Sequence, residues 1–288
     1  MASNLARRVG FAAVAIPAAL LVVYFGGWPL VTLLAIVGVL GVRELYDLAG
    51  RGGVRPSRAV GYVSAAGIAP LAYLNVSDGH WAESIAAAWP FAIAVWLIVL
   101  LTWALARRRP ADRPLSAAAI TLLAVAYAAA LPAFLVAIRH GRFGASPWAA
   151  TWLVFFPLVV TWVCDSAAMG AGKSVGGPKL WPVVSPNKTR SGAIGGVVGA
   201  LLVGLVFGLA VFPRVGVPAS LGASLIIAGV LSVVGQAGDL VESLFKREAG
   251  VKDSGTIIPG HGGVLDRFDS LYFVVPAAAA LYRCWDLV

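Results

Sequence analysis

The feature that most constrains the fold of this chain is a series of apolar stretches of a length suited to crossing a lipid bilayer. A hydrocarbon core of roughly 30 Å needs about 20 apolar residues in a helix, and only helices or closed barrels satisfy every backbone polar group there. The stretches lie at 9–25, 29–48, 59–74, 85–106, 115–138, 147–164, 193–212, 217–241 and 268–282. The sequence therefore predicts an all-α polytopic integral membrane protein with about nine transmembrane helices.

The basic residues predict how these helices are oriented. Lysine and arginine in short loops collect on the cytoplasmic side of a membrane protein. With nine spans, one side holds only Arg139, Arg142, Arg214 and Arg283, which leaves 18 of the 22 lysines and arginines on the other side. This asymmetry predicts a cytoplasmic N-terminus and an outside C-terminus in a bacterial-type inner (cytoplasmic) membrane.

The net charge of +9 follows mostly from this orientation. It also favours contact with anionic lipid headgroups and with phosphorylated substrates at the cytoplasmic surface. No basic domain or aromatic-interleaved patch lies outside the predicted spans, so the sequence predicts no nucleic-acid partner. The two cysteines, Cys164 and Cys284, form no C-x-x-C pair, which argues against a disulfide framework or a zinc site.

The chain is predicted to divide into a scaffold of transmembrane helices, 1–150, and a catalytic transmembrane region, 151–288. Polar loops are longer in the second part, at 165–192 and 242–267. The distribution of charge places both loops on the cytoplasmic side, so we expect them to meet and form the active site there.

Four glycines after the first of these loops lie three and four residues apart, on one side of a predicted helix. They are Gly192, Gly195, Gly196 and Gly199. Glycine lets membrane helices approach closely, so the spacing predicts a packing face. A phosphate cradle formed by free N–H groups at the start of this helix is the alternative.

A charge-dense run at 243–269 lies between two apolar segments and reads S-L-F-K-R-E-A-G-V-K-D-S-G-T-I-I-P-G-H-G-G-V-L-D-R-F-D. Each charge buried in lipid would cost about 3 kcal/mol on insertion scales, so this charged run must face water or line a wet cavity. Its acids and bases together suggest a metal-assisted phosphate site. They are Asp253, Asp266, Asp269, Lys246, Arg247, Lys252 and Arg267.

The helix that leads into the charged run carries Asp239, Glu242 and Lys246 three and four residues apart, on one face. An acid near the C-terminal end of a helix opposes the helix dipole, which suggests a compensating cation. We interpret Asp239 as a metal ligand that faces inward. A solvated helix end is the alternative.

Within the charged run, the segment 259–263 (P-G-H-G-G) has almost no side chains and is suited to presenting amides to phosphate oxygens. A flexible linker is the alternative. His261 lacks a second ligand at zinc spacing and is interpreted as a phosphate contact. In the turn that follows, Asp266 is the predicted metal ligand, and Asp269 is predicted to cap the last helix or to support the site.

The earlier polar loop begins after Asp165, at the end of a predicted span. Its Gly172-Lys173-Ser174 lacks the further glycine of a nucleotide-binding P-loop, since Ala167 occupies that position. Ser185-Pro186-Asn187-Lys188-Thr189 is predicted to be a proline-fixed turn whose hydroxyls, amide and ammonium suit a triphosphate. A merely solvated loop is the alternative. Oxygen ligands and phosphates together favour Mg²⁺, and a second cation is left open.

The charged run resembles the signature of the phosphatidate cytidylyltransferases, also called CDP-diacylglycerol synthases. It matches S-x-x-K-R-x4-K-D, then P-x-H-G-G, then D-R-x-D. The family usually has an aromatic residue where this chain has Met169, and a glutamate where it has Ser191. The earlier loop resembles the family more loosely, at Asp165, Gly172, Gly176, Lys179, Leu180, Ser185, Pro186, Lys188, Thr189 and Gly192.

The resemblance implies that CTP and phosphatidate react to give CDP-diacylglycerol and pyrophosphate, with Mg²⁺ required. It places the metal at Asp239 and Asp266, with Asp165 or Asp253 as a further ligand. The residues predicted to take part in catalysis are Asp239, Lys246, Arg247, Asp253, Asp266 and Arg267. The residues predicted to bind substrate are Lys179, Ser185, Lys188, Thr189, Ser243, Lys252, His261, Gly262 and Gly263.

Two other functions compete with this interpretation. A CTP-dependent lipid or polyprenol kinase would use similar groups but would release CDP in place of pyrophosphate. A transporter or channel would need charges at mid-span and an inverted repeat, whereas nearly all of the charges here lie in loops and at helix ends. The predicted partners are CTP, phosphatidate and membrane lipids, and a homodimer is left open.

Overall fold

The computed structural model of this protein describes residues 17–77, 79–257 and 262–288. These residues are mostly helical, and the only sheet among them has two strands. The predicted class, a helical polytopic membrane protein, is confirmed.

Seven helices among the described residues are long and apolar enough to cross a membrane. They coincide with the second to eighth predicted spans. The first predicted span, 9–25, begins outside the described residues. Its described part, residues 17–25, is helical. The ninth corresponds to a helix of 14 residues, Leu271–Cys284, which at 1.5 Å per residue spans about 21 Å, less than the hydrocarbon core. A count of nine spans stays a prediction.

The helices are numbered here in chain order. They are α1 (Gly27–Arg51), α2 (Arg58–Ser77), α3 (Gly79–Arg107), α4 (Pro114–Val125), α5 (Leu131–His140), α6 (Pro147–Ser174), α7 (Arg190–Val206), α8 (Phe212–Arg214), α9 (Leu221–Glu248), α10 (Leu265–Phe268) and α11 (Leu271–Cys284). A π-helical turn, Ala126–Ala130, joins α4 to α5, and another, Phe207–Val211, joins α7 to α8. A 3₁₀ turn, Pro110–Asp112, precedes α4.

The chain forms two compact units, each assembled from separate segments. The first unit combines Gly26–Ala137 with Glu248–Arg267, and the second combines Ile138–Arg247 and Phe268–Val288 with the described part of Met1–Phe25. These units do not coincide with the predicted division at residue 150. That division concerns roles and stays a prediction.

In the first unit, small residues let α1 pack closely on its neighbours. A methyl group at Gly61 of α2 would lie 1.8 Å from the Tyr46 hydroxyl, so only glycine fits beneath this ring. At Gly38, a methyl group would lie 3.1 Å from Ala129 Cβ in the π-helical turn. Such close approaches are typical of membrane helices, where small residues allow backbones to touch.

In the second unit, α7 packs on α6 through the four predicted glycines. A methyl group would lie 2.4 Å from Ala171 Cβ at Gly195, and 2.6 Å from Ala167 Cβ at Gly199. The predicted packing face is therefore confirmed. The alternative was a phosphate cradle formed by free N–H groups at the start of α7. The Gly192 N–H is not free for this purpose, because it donates to Thr189 Oγ1 at 3.1 Å as part of a helix cap.

The end of α6 differs from the prediction. The apolar span was predicted to stop at residue 164, but α6 continues to Ser174, so Asp165 lies inside the helix. The continuation is rich in alanine and glycine, and Ala167, Ala168 and Ala171 face the glycines of α7. Helix packing therefore extends the helix beyond the end of the apolar run.

Residues 179–189 form a short antiparallel hairpin in place of the predicted turn. Strand β1 (Lys179–Trp181) pairs with β2 (Ser185–Thr189), with Lys179 opposite Thr189 and Trp181 opposite Ser185. The predicted proline-fixed turn at 185–189 is therefore wrong, since this segment is a strand. Both strands are edges of a two-stranded sheet, where Pro186 removes no essential ladder hydrogen bond.

Candidate active site

The second unit places three aspartates near one another, two inside helices and one in a turn. Asp165 lies in α6, Asp239 lies in α9, and Asp269 lies in the turn before α11. Asp239 and Asp165 both contribute charge repulsion at Asp269. The prediction placed Asp165 and Asp239 among metal ligands and gave Asp269 a capping or supporting role.

Asp239 has the compensating cation that its position in the helix suggested. The Lys188 ammonium forms an ion pair with Asp239 Oδ2, and Ser243 Oγ donates to Asp239 Oδ1 at 3.3 Å. Both members of the ion pair are partly exposed, with 29% and 25% of their side chains accessible. Strand β2 thereby carries a predicted nucleotide-binding lysine to a predicted metal ligand on α9.

Asp269 is half-buried, and the nearby Asp239 carboxylate repels its negative charge. A cation placed among these carboxylates would favour their charged forms.

Oxygen donors and negative charge are what Mg²⁺ requires, so the three aspartates fit this ion in their chemistry. They do not form a closed coordination set. Among the described residues, no group of three or more His, Cys, Asp or Glu side chains is close enough together to hold a metal ion.

The C-terminal end of α9 carries a second charged pair. Lys246 forms an ion pair with Glu242 one turn earlier, and only 9% of Lys246 and 1% of Glu242 are exposed. The Arg247 Nε donates to the Val184 carbonyl at 3.3 Å, which ties the end of α9 to the hairpin turn. Lys246 is therefore paired with an acid of its own helix and buried, whereas the Arg247 side chain is exposed at the surface.

The hairpin also holds the start of α7. Thr189, a predicted substrate-binding residue, is buried and caps α7 through its side-chain oxygen. Ser191, which stands where the family usually has glutamate, donates a hydrogen bond from its hydroxyl to the Gly176 carbonyl. Lys179 is exposed and Ser185 is half-buried, so both are open to solvent.

In the first unit, Asp266 organises the charged run. Its Oδ2 accepts hydrogen bonds from the Ser254 amide at 2.9 Å and from the Gly263 amide at 2.8 Å. Gly262 has a left-handed backbone with φ of 83°, and a methyl group there would lie 2.6 Å from Asp266 Oδ2. The glycines make room for this carboxylate, and the metal role of Asp266 stays a prediction.

Glu44 is a site residue that the sequence analysis missed. It lies in α1 and is 2% exposed. Its Oε1 accepts from the Val264 amide at 2.8 Å, and its Oε2 accepts from the Leu265 amide at 2.9 Å. Ser254 Oγ lies 2.8 Å from Glu44 Oε2 and 3.0 Å from Asp266 Oδ2, so its single proton links the two carboxylates.

No side chain fits at Gly263, because a methyl group there would lie 2.2 Å from Ser254 Oγ and 2.3 Å from Glu44 Oε2. The P-G-H-G-G segment is therefore tied at its C-terminal end to α1. The sequence signal for Glu44 was its position inside an apolar span, where an ionisable residue suggests function.

The remaining predicted residues of the charged run face solvent. Lys252, Asp253 and Arg267 are exposed in the first unit. His261, with the proline and glycine before it, lies outside the described residues. The predicted metal ligands are divided between the units, with Asp165 and Asp239 in the second and Asp266 in the first.

Comparison with known proteins identifies the family. The profile of the "Cytidylyltransferase family" matches residues 6–285. A phosphatidate cytidylyltransferase of Staphylococcus aureus (strain COL) is 37% identical over 251 residues, which cover 87% of this chain and 88% of that protein.

Two further proteins with the same name match a shorter region more strongly. The protein of Bacillus subtilis (strain 168) is 52% identical over 123 residues, or 43% of this chain and 44% of that protein. The protein of Staphylococcus saprophyticus is 51% identical over 123 residues, or 43% of this chain and 46% of that protein.

Proposed function

Because this chain belongs to the cytidylyltransferase family, we propose that it is a phosphatidate cytidylyltransferase. The enzyme transfers the cytidylyl group of CTP to phosphatidate and yields CDP-diacylglycerol and pyrophosphate. The observation that carries this proposal is the family match from residue 6 to residue 285. The cluster of aspartates and lysine in the second unit supports it, since phosphoryl-group chemistry depends on charge neutralisation and positioning.

The reaction joins two phosphates without a covalent protein intermediate. A phosphate oxygen of phosphatidate attacks the α-phosphorus of CTP, a new P–O bond forms, and the bond to the departing pyrophosphate breaks. Phosphatidate is already an oxyanion, so no strong general base is needed. The task of the protein is to neutralise and align the phosphates.

Asp165 and Asp239 of the second unit are the residues that would hold Mg²⁺ there, with Asp269 in a supporting role, and the metal role of Asp266 is a separate prediction for the first unit. The ion, when bound, would neutralise phosphate charge. Lys188 balances Asp239 in the absence of substrate and steadies the nucleotide phosphates when they arrive.

Exposed cations bind the phosphates of the two substrates. Lys252 and Arg267 serve this role in the charged run, and Lys179 and Arg247 serve it beside the hairpin. Ser243 and Asp239 form one hydrogen-bonded pair on α9, and Ser243 orients this carboxylate. Lys246 contributes its charge from a buried pair with Glu242.

The enzyme works from the cytoplasmic face of the membrane. Both long polar loops lie on the side that carries 18 of the 22 lysines and arginines when nine spans are counted. CTP then reaches the site from the cytoplasm, and phosphatidate reaches it from the inner leaflet. Assembly as a homodimer is an expectation that the mass of the solubilised protein will test.

The test is an assay of the purified protein with phosphatidate, Mg²⁺ and each of the four nucleoside triphosphates. Of the four nucleotides, we expect only CTP to support rapid turnover with phosphatidate. One pyrophosphate should be released for each CDP-diacylglycerol formed. Release of CDP with a phosphorylated lipid would identify a CTP-dependent lipid kinase and overturn the proposal. Cation flux in liposomes without CTP turnover would indicate a transporter.

A further inference from the structure

A cavity of about 500 Å³ in the first unit is lined mostly by polar and charged side chains. It is formed by the connection that joins α1 to α2, by the end of α3 and by the connection that joins α3 to α4. Its basic lining residues are Arg55, Arg107, Arg108 and Arg113. None of them belongs to the proposed active site.

Among the described residues, the arginines of this cavity form no salt bridge with an acid. Of the described lining residues, Asp112 alone is acidic, and its Oδ2 accepts a hydrogen bond from the Arg109 amide at 2.8 Å. The salt bridges among the described residues all lie elsewhere in the chain. Four guanidinium groups around one space repel each other, and an anion would relieve that repulsion.

Several contacts hold the arginines in place. The Arg113 guanidinium donates to the Gly52 carbonyl at 3.2 Å, which joins the two connections. Arg113 itself has a left-handed backbone with φ of 53°, a conformation that is unfavourable for a residue with a Cβ and that is found mainly where the surroundings require it. The Arg107 guanidinium lies 4.9 Å from the centre of the Trp103 ring, which orients its plane.

The cavity lies at the ends of membrane-spanning helices. Helix α1 ends at Arg51 and α3 ends at Arg107, and α2 returns across the membrane between them, so both ends lie on the same face. Helix ends of this kind lie at the level of the lipid headgroups. Phosphate is the anion present at that level, and arginine is the residue best suited to bind it through paired N–H groups.

We propose that this arginine cavity is a second anion site, which binds a phosphate group at the membrane surface and is separate from the active site. The phosphate is carried either by an anionic lipid headgroup or by a soluble ion, and the chemistry of recognition is the same. Arginines placed only to orient the helices need no shared cavity. A control pair of arginines from the end of α1 and the start of α2, outside the cavity, separates the two explanations.

The test uses the full-length protein in phosphatidylcholine nanodiscs. One arm replaces a rising fraction of the lipid with phosphatidylglycerol, and the other adds inorganic phosphate to the neutral nanodiscs. The thermal unfolding midpoint reports binding, since a ligand of the folded state raises it. The variants are Arg107→Gln with Arg108→Gln in the cavity, and Arg51→Gln with Arg58→Gln as an exposed control pair outside it.

We expect a saturable rise of the midpoint in at least one arm, and the arm that saturates identifies the source of the phosphate. The cavity pair should raise the half-saturating amount at least about tenfold, since each lost guanidinium removes a charge-assisted bond, and the control pair should change it less than about twofold. Arg55→Gln, at an exposed position, should weaken binding in the same direction if the double variant does not fold. Lack of saturation in both arms, or equal effects of the two pairs, would overturn the proposal.

Discussion

Asp239 is held by two side chains of its own unit, Lys188 and Ser243, and this arrangement allows its chemical role to be separated from its structural one. A partly exposed ion pair contributes only about 0–1 kcal/mol to stability. Asp239→Asn should therefore leave the unfolding midpoint almost unchanged. Loss of a carboxylate that would hold the metal against the reacting phosphates should lower kcat/KM about 100-fold or more.

The Mg²⁺ dependence of the Asp239→Asn enzyme tests the metal assignment directly. We expect half-maximal activity to require more Mg²⁺ than in the unmodified enzyme. Glu248→Gln, at the exposed end of the same helix, is the matched control and should behave like the unmodified enzyme. An active Asp239→Asn protein with an unchanged Mg²⁺ requirement would remove Asp239 from the site.

Glu44 is a second single residue whose substitution should affect activity, through the charged run that it holds. In Glu44→Gln, one side-chain oxygen becomes an amide that meets a donor, and the loss should destabilise the protein by about 2 kcal/mol or more. Because the run that Glu44 holds carries Lys252 and Arg267, KM for the substrates should rise more than kcat falls. Steady-state kinetics and thermal unfolding measure the two effects.

Two further variants define this role of Glu44. Ser254→Ala removes the shared hydroxyl alone and should cost about 1 kcal/mol. Asp47→Asn changes an exposed acid on the same helix and should have no effect on either measurement. Unchanged KM values in Glu44→Gln would show that the glutamate stabilises the fold without positioning the run.

At the scale of elements, contact between α6 and α7 depends on glycine. Gly199→Val should destabilise the protein by about 2 kcal/mol, because the added Cβ would overlap Ala167 and overpacking costs about 1–3 kcal/mol. Gly170→Val places the same side chain on α6, where a Cβ meets nothing within 4 Å, and should be nearly neutral. Thermal unfolding of the two variants in one detergent makes the comparison, and equal losses would contradict the packing role.

The helices could be predicted from sequence because hydropathy and length decide whether a segment can cross a bilayer. The glycine face followed from spacing alone. The extension of α6 past Asp165 could not be predicted in this way, since alanine and glycine are weakly apolar and their packing partners lie on another helix. The hairpin at 179–189 is also invisible to periodicity, because three and five residues are too few to show an alternating pattern.

The candidate site was predictable to the extent that its chemistry is local. Asp239, Lys188 and the charged run stand out because charges are rare in this chain. The pairing of Lys188 with Asp239 joins residues 51 positions apart, and the contact of Glu44 with Leu265 joins residues 221 positions apart. No local pattern encodes such contacts, so they emerge only from the folded chain.

At the scale of the whole molecule, the open question is whether α11 crosses the membrane. With nine spans, three crossings separate Ser174 from Cys284, and they lie on opposite sides. Cys284 is exposed and Cys164 is buried, so Cys284 is the accessible native thiol. We expect a membrane-impermeant maleimide to label Cys284 in intact spheroplasts.

A second protein, with Ser174→Cys and Cys284→Ser together, completes this measurement. Ser174 is exposed at the end of α6, on the predicted cytoplasmic side, and the new thiol should react only after the membrane is permeabilised. Identical behaviour of the two thiols would mean that an even number of crossings separates them, and that the 14-residue helix α11 does not span the bilayer.

The contact between Glu44 and the charged run also bears on how the protein is made. Helix α1 is synthesised more than 200 residues before Ser254 and Leu265, which donate hydrogen bonds to Glu44. Until then the nascent chain carries a glutamate whose hydrogen-bond donors have not been synthesised. A chain that stops before residue 254 never gains these donors, so we expect it to lack the contacts that satisfy the buried Glu44 carboxylate and to fold less stably than the full chain.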